Sequence, residues 1–159
     1  MVYMQKAASK KIISVNRKAR HNYIVEKTYE AGIELVGTEV KSLRNGSVNL
    51  KDSYCIVDNG QIYILNMHIS PYENGNIFNR DPIRKRRLLM HKQEILNLYN
   101  SVRLKGYSLI PLSIYFSKSK VKIELGFCKG KKIYDKRAEM AAKDAKRQME
   151  RAKKQSLSY

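Results

Sequence analysis

The side chains that most often carry enzyme chemistry are few in this chain and poorly placed for it. His21, His68 and His91 share no metal-ligand spacing with one another or with Cys55 and Cys128. Gly126-Phe127-Cys128-Lys129-Gly130-Lys131-Lys132 sets two glycines beside lysines, but lacks the spacing and the Ser or Thr of a phosphate loop. Glu26, Glu30, Glu34 and Glu39 offer carboxylates for acid/base work. On strands and a short helix such groups read as solvated side chains or ion-pair partners, so no catalysis, metal or cofactor is expected.

A different chemistry is better represented. Asn16-Arg17-Lys18-Ala19-Arg20-His21, Arg84-Lys85-Arg86-Arg87 and Lys129-Gly130-Lys131-Lys132 are three basic clusters, flanked by Tyr23, Tyr107, Tyr115 and Tyr134. Arg and Lys take phosphates while aromatic rings stack on splayed bases, a mixture suited to RNA. The whole chain carries 32 Lys and Arg against 14 Asp and Glu, a net charge of +18. That charge is uneven: residues 1–20 hold six basic and no acidic residues, residues 21–83 five and eight, and residues 84–159 twenty-one and six. A charge serving only solubility would not leave the middle acidic, so the pattern reads as a nucleic-acid footprint with basic ends.

The elements that must hold these clusters are mostly strands. At 159 residues the chain has room for one domain with its own core. Residues 1–15 read as a loose basic arm. Residues 23–29 and 33–36 read as strand segments around a bend at Glu30-Ala31-Gly32. A short helix follows Gly37, capped by Thr38, with Val40 and Leu43 on one face, Glu39 near its positive end and Gly46 past its close. Residues 53–57 and 61–69 make a hairpin around Asp58-Asn59-Gly60. Residues 72–83 form a connector, and Leu88, Leu89, Ile95, Leu96, Tyr99 and Val102 recur at the spacing of a second helix ended by Gly106. Residues 107–116 and 120–128 form another hairpin. In it Val121, Ile123, Leu125 and Phe127 alternate with Lys120, Lys122, Glu124 and Gly126, and Pro111 marks an edge or bulge. Antiparallel strands without a βαβ rhythm predict a mainly β fold, an OB-type barrel over 16–132 with two or three flanking helices.

From Lys129 the character changes. Between Tyr134 and Leu157 there is no large aliphatic or aromatic residue, and Ala138, Ala141, Ala145, Met149 and Ala152 make only a thin apolar stripe. Residues 133–159 are therefore expected to be a flexible basic tail, coil or frayed helix when free. No run of about 18 apolar residues exists to span a membrane, and with Lys6, Lys10 and Lys11 followed only by Ile12-Ile13-Ser14-Val15 before Asn16, no secretory leader is expected. Two distant cysteines without a Cys-x-x-Cys partner suit reduced thiols in a cytoplasmic protein.

Particular runs carry a family resemblance. Asn16 to His21, Tyr29-Glu30-Ala31-Gly32, Gly37 through Arg44, Asp52-Ser53-Tyr54, Asp81-Pro82, Arg87-Leu88-Leu89 and Lys129 through Arg137 resemble, in order and spacing over about residues 12–155, the SmpB family of tmRNA-binding (SsrA-binding) proteins of bacteria. The resemblance implies binding to the tRNA-like domain of tmRNA and a part in trans-translation, the rescue of stalled ribosomes and tagging of incomplete proteins. The protein body would stand in for an anticodon arm, and the tail would fold into a helix along the empty mRNA channel. Expected partners are tmRNA, the stalled ribosome with its small-subunit RNA, and elongation factor Tu indirectly through charged tmRNA; the protein is expected to be a monomer.

Carried over by position, Asn16, Glu30, Leu89 and Lys122 match the tmRNA-binding face, to which the basic clusters add Arg17, Arg20 and Lys129. Gly130, Lys131, Lys132, Asp135, Lys136 and Arg137 match the tail motif that meets the decoding centre. Lys143, Lys146 and Arg147 would follow along the channel. Tyr134 stands where many relatives have His, which preserves stacking but not a cationic imidazole. A generic OB-fold RNA-binding or ribosomal protein would share the barrel, charge and aromatics; an RNA-modifying enzyme would need a cofactor loop or catalytic cluster.

Overall fold

Strands with one apolar face can bury it, and lose their raw edges, by pairing around until the sheet meets itself. The computed structural model describes residues 10–104, 106–131 and 133–157, and for residues 76 and 133–136 the backbone alone. Among these residues the order is β1 (Lys10–Val15), α1 (Arg17–Asn22), β2 (Tyr23–Ile33), α2 (Gly37–Arg44), β3 (Val48–Asn49), β4 (Tyr54–Asp58), β5 (Gln61–Leu65), β6 (His68–Ile69), a 3-10 turn (Asn76–Phe78), β7 (Arg86–Leu89), α3 (Lys92–Val102), β8 (Tyr107–Ser117), β9 (Lys120–Gly130) and α4 (Ile133–Leu157). Strands β8, β4, β5, β7, β2 and β9 pair antiparallel in that order, and β9 pairs back onto β8 to close a ring. β3 and β6 form a separate two-stranded ladder.

Local chemistry accounts for the hairpins. Asn59 and Gly60, both at positive φ (49° and 74°), join β4 to β5 with Asp58 opposite Gln61. Inside the ring, Ile62 and Ile64 of β5, Leu88 of β7, and Ile123 and Leu125 of β9 are buried, with Leu43 of α2 and Leu98 of α3 packed among them. Each such side chain contributes about 1.5–3 kcal/mol of burial.

β8 is the hub. Its early residues pair with β4 at Leu109–Cys55, and its later ones pair with β1 from Ser113 to Ser117. Pro111 lies between the two, beside a bulge at Leu112, which fits the edge or bulge expected of it. Ile110 and Leu112 join Cys128 and Ala19 in a second apolar cluster, on which α1 rests.

Four expectations are corrected. Residues 10–15 are not part of a loose arm but strand β1, because their backbone completes the β8 edge; residues 1–9 lie outside the described residues. Residues 23–33 form one strand without a bend at 30–32, since β2 pairs with β9 from Tyr23 to Gly32 and with β7 at its end. Leu88 and Leu89 belong to β7, and the helix starts at Lys92; inside and outside alternation, Leu88 buried and Leu89 exposed, wins over a helical period. Thr38 does not cap α2: its hydroxyl donates to Phe78 O at 3.1 Å, while the Glu39 carboxylate accepts from the Val36 N–H at 3.0 Å. The tail, expected as coil or frayed helix when free, forms helix α4, with residues 137–157 exposed. Absence of Gly and Pro from 135 to 157 and the Glu139–Lys143 and Glu150–Lys154 spacings favour the helix locally.

Candidate nucleic-acid interface

On the outer side of β7, β2 and β9, residues distant in sequence form one row. Gly32 lies opposite Leu89 on one side and Lys122 on the other. A Cβ on Gly32 would sit 3.3 Å from that of Leu89, so the glycine gives Leu89 room to lie against β2. Leu89 is 50% exposed because Leu88 has taken the interior position. Glu30, two residues before Gly32 and thus on the same face, completes a groove of about 570 Å³ that also includes Arg87 and His91. Of the four residues matched to the tmRNA-binding face, Glu30, Leu89 and Lys122 come together here.

The Glu30 carboxylate accepts from the Tyr115 hydroxyl, and Lys10 Nζ lies 3.9 Å from it. Lys10 also sits 4.8 Å from the Tyr115 ring centre. Burial, then the hydrogen bond to Glu30, pushes the Tyr115 phenol far above its usual range, so it stays a donor. Glu124 faces Glu30 directly across the strands and accepts from Ser113 Oγ at 3.1 Å.

Asn16 is elsewhere and buried. Its Oδ1 accepts from the Ala19 N–H at 3.3 Å, capping α1, while its Nδ2 donates to Pro111 O at 3.0 Å and Leu50 O at 3.3 Å. Its amide is thus engaged in pinning α1 to β8 and carries α1's cations rather than presenting a base-reading group. On α1, Ala19 points into the second cluster, and Arg17, Lys18 and Arg20 are exposed. Lys129 and Gly130 are exposed at the adjoining end of β9. Lys131 donates through Nζ to Arg20 O at 3.0 Å and pairs with Glu139 of α4, tying α1, β9 and the tail helix together. Tyr107 stacks on Phe127 nearby, with ring centres 4.6 Å apart. Ile24 lies opposite Lys129, six residues before Glu30 on β2, so this basic end stands about 20 Å from the groove at strand rise.

The third basic cluster is mostly consumed by the fold. Arg86 is 1% exposed: its Nε donates to Glu39 at 2.5 Å, Nη1 to Met67 O at 2.8 Å and Nη2 to Pro82 O at 3.0 Å. Arg84 donates to the other Glu39 oxygen at 2.5 Å. Burial raises the Glu39 pKa, but hydrogen bonds from Arg84, the Val36 N–H and Arg86 outweigh it and hold the carboxyl below its usual value. Arg87 pairs with Glu34 at 3.1 Å, and Lys85 lies 4.0 Å from the Tyr63 ring centre and 3.9 Å from Asp58. Sequence reasoning missed this network because Glu39 and Arg86 lie far apart along the chain. The available signal was Arg86 sharing a strand face with buried Leu88.

On α4, Arg137, Lys143, Lys146 and Arg147 are exposed. Lys132 and the side chains of Tyr134, Asp135 and Lys136 lie outside the described residues. Cys55 and Cys128 are free and buried, and burial pushes both thiols up, Cys128 to about 11. No grouping of His, Cys, Asp and Glu suited to a metal is found among the described residues.

The family described as SmpB protein matches residues 13–155. A protein of Clostridium tetani (strain Massachusetts / E88) named SsrA-binding protein is 56% identical over 156 residues, 98% of this chain and 100% of that one. A protein of the same name from Clostridium botulinum (strain Hall / ATCC 3502 / NCTC 13319 / Type A) is 55% identical over 156 residues, with the same coverage. A solved structure described as "tmRNA-SmpB: a journey to the center of the bacterial ribosome" aligns at TM-score 0.65 and 49% identity, covering 76% of this chain and 85% of that one.

Proposed function

The chain belongs to the SmpB family, and from that premise we propose that it binds the tRNA-like domain of tmRNA and delivers it to stalled ribosomes for trans-translation. The observation that carries the reading is the meeting of Glu30, Leu89 and Lys122 in one groove, from three strands, on a chain whose full length resembles SsrA-binding proteins. In this role Lys122 takes a phosphate, Leu89 offers an apolar rest for a base or sugar, and Glu30 accepts from a nucleotide amine or 2′-hydroxyl. Arg17, Lys18, Arg20 and Lys129 take the backbone at the basic end, with Asn16 acting as the clamp that holds α1.

α4 is assigned to the ribosome. From Asp135 to Lys154 it reaches about 30 Å at 1.5 Å per residue. Lys136, Arg137, Lys143, Lys146 and Arg147, with Arg151 and Lys153, meet ribosomal RNA in the decoding centre and the vacant mRNA channel. Gly130 and Lys131 lead into it, and Lys132 and Tyr134 are assigned to the same contact with the decoding centre. Elongation factor Tu joins through the charged tmRNA, the protein works as a monomer in the cytoplasm, and its part is binding rather than catalysis.

A gel-shift competition tests this directly. The tRNA-like domain of tmRNA should outcompete bulk tRNA and ribosomal RNA. Its affinity should fall with salt by a log–log slope of several units, at about −0.7 to −0.9 per neutralised phosphate. Equal competition by bulk tRNA would reduce the protein to a general RNA-binding barrel, and a flat salt dependence would remove the phosphate contacts.

A further inference from the structure

We propose that Tyr115 is a positioning residue for RNA recognition, holding the Glu30 carboxylate in the orientation in which its second oxygen accepts from the nucleotide. The proposal rests on the assignment of Glu30 to the tmRNA-binding face.

Three observations on the outer face of the barrel carry it. Glu30 stands directly opposite Glu124 across β2 and β9, an arrangement in which like charges repel. Each carboxylate of the pair receives a neutral donor from β8: Tyr115 O–H serves Glu30, and Ser113 O–H serves Glu124. Tyr115 is 3% exposed although it lies on the outside of the barrel, and its ring passes beneath Lys10, whose ammonium is 3.9 Å from the same Glu30 oxygen. A half-exposed glutamate on a strand otherwise samples several rotamers, and the one that reads a base must be selected at the moment of binding. A buried phenol fixed by its neighbours removes that choice in advance. It occupies Oε2, while Oε1 of this groove-lining residue accepts from no donor among the described residues.

A phenol serves this purpose better than a cation. Lys10 alone would neutralise Glu30 and draw it back onto the protein, whereas a neutral donor orients the carboxylate and leaves its charge available to a nucleotide amine. Because Tyr115 contacts no phosphate in this arrangement, it tunes affinity without adding to the salt dependence.

The test measures affinity of full-length protein for the tRNA-like domain of tmRNA in the parent, Tyr115→Phe, Glu30→Gln, the double variant and Ser113→Ala, with a thermal melt of each. Tyr115→Phe keeps the ring and should weaken binding about fivefold, the worth of one oriented hydrogen bond, with the salt slope and melt unchanged. In the Glu30→Gln background the same change should cost nothing further, and Ser113→Ala should bind as the parent does. Parental affinity for Tyr115→Phe, multiplicative losses in the double variant, or an equal loss from Ser113→Ala would each overturn the proposal. So would a Tyr115→Phe protein melting far below the parent, which would give the hydroxyl to the fold. If the parent does not prefer this RNA, the proposed function fails first; if Glu30→Gln alone is silent, the Glu30 assignment fails.

Discussion

Removing the Glu39 carboxylate should unfold this protein more readily than removing any exposed charge. Glu39 and Arg86 have side chains only 5% and 0% exposed, so Glu39→Ala strands a guanidinium that has no access to water. Leaving one partner of a buried ion pair uncompensated costs about 3–5 kcal/mol. Residues 10–131 make a body of roughly 120 residues, for which about 2.1 cal/mol/K per residue gives an unfolding entropy near 0.25 kcal/mol/K. The melting temperature should therefore fall by about 12–20 °C, as followed by circular dichroism in the strand region. Arg84→Ala removes the more exposed partner, 28% accessible, and should cost under about 1 kcal/mol, or about 4 °C. Acid provides a second reading. The folded Glu39 pKa lies below its ordinary 4.5, so its contribution is complete above that pH and is lost as pH falls through the folded value, while Arg86 stays charged throughout. The gap between the parent and Glu39→Gln should thus close on acidification. A Glu39→Ala protein melting within about 4 °C of the parent, or no further from it than Arg84→Ala, would refute the reasoning.

Lys122→Ala should weaken binding to the tRNA-like domain at an unchanged melting temperature, whereas Ile123→Asp, at a position 0% exposed, should unfold the barrel; equal destabilisation by both would mean the β9 register is wrong. Ala142→Pro breaks α4 at a cost of about 3 kcal/mol within that helix, yet it should leave the melt of the barrel and the affinity for tmRNA alone while abolishing tagging of stalled chains. A lowered barrel melt, or intact tagging, would refute the separation of body and tail.

Some of this protein is legible from local chemistry alone. Asn59-Gly60 selects a two-residue turn because both residues accept positive φ, and the hairpin follows without help from the rest of the chain. Lys120 to Leu125 alternate in charge and apolarity at the period of a strand, so the inward and outward sides of β9 are readable until Cys128 is buried under α1. The missing bulk between Tyr134 and Leu157 foretells a segment that cannot pack on the body, and the absence of Gly and Pro with its i,i+4 charge pairs favours the helix it forms.

What tertiary structure alone decided is which face each residue takes and whom it meets. Leu88 and Leu89 satisfy a helical period on paper; only pairing with β5 and β2 makes one of them core and leaves the other open in the groove. Arg84-Lys85-Arg86-Arg87 reads as one patch in the sequence, but Arg84 and Arg86 are drawn to Glu39 and Arg87 to Glu34. The Lys10–Val15 strand and the Asn16 clamp exist because β8 is long enough to pair beyond the end of β4. The groove itself joins Glu30, Leu89 and Lys122 through the pairing of β2 with β7 on one side and β9 on the other. The physical reason is common to all four cases: spacing encodes turns and periodicity within about ten residues, whereas edges, buried charges and shared faces depend on contacts whose partners lie tens of residues away, where loop closure and desolvation choose among many pairings the local pattern permits equally.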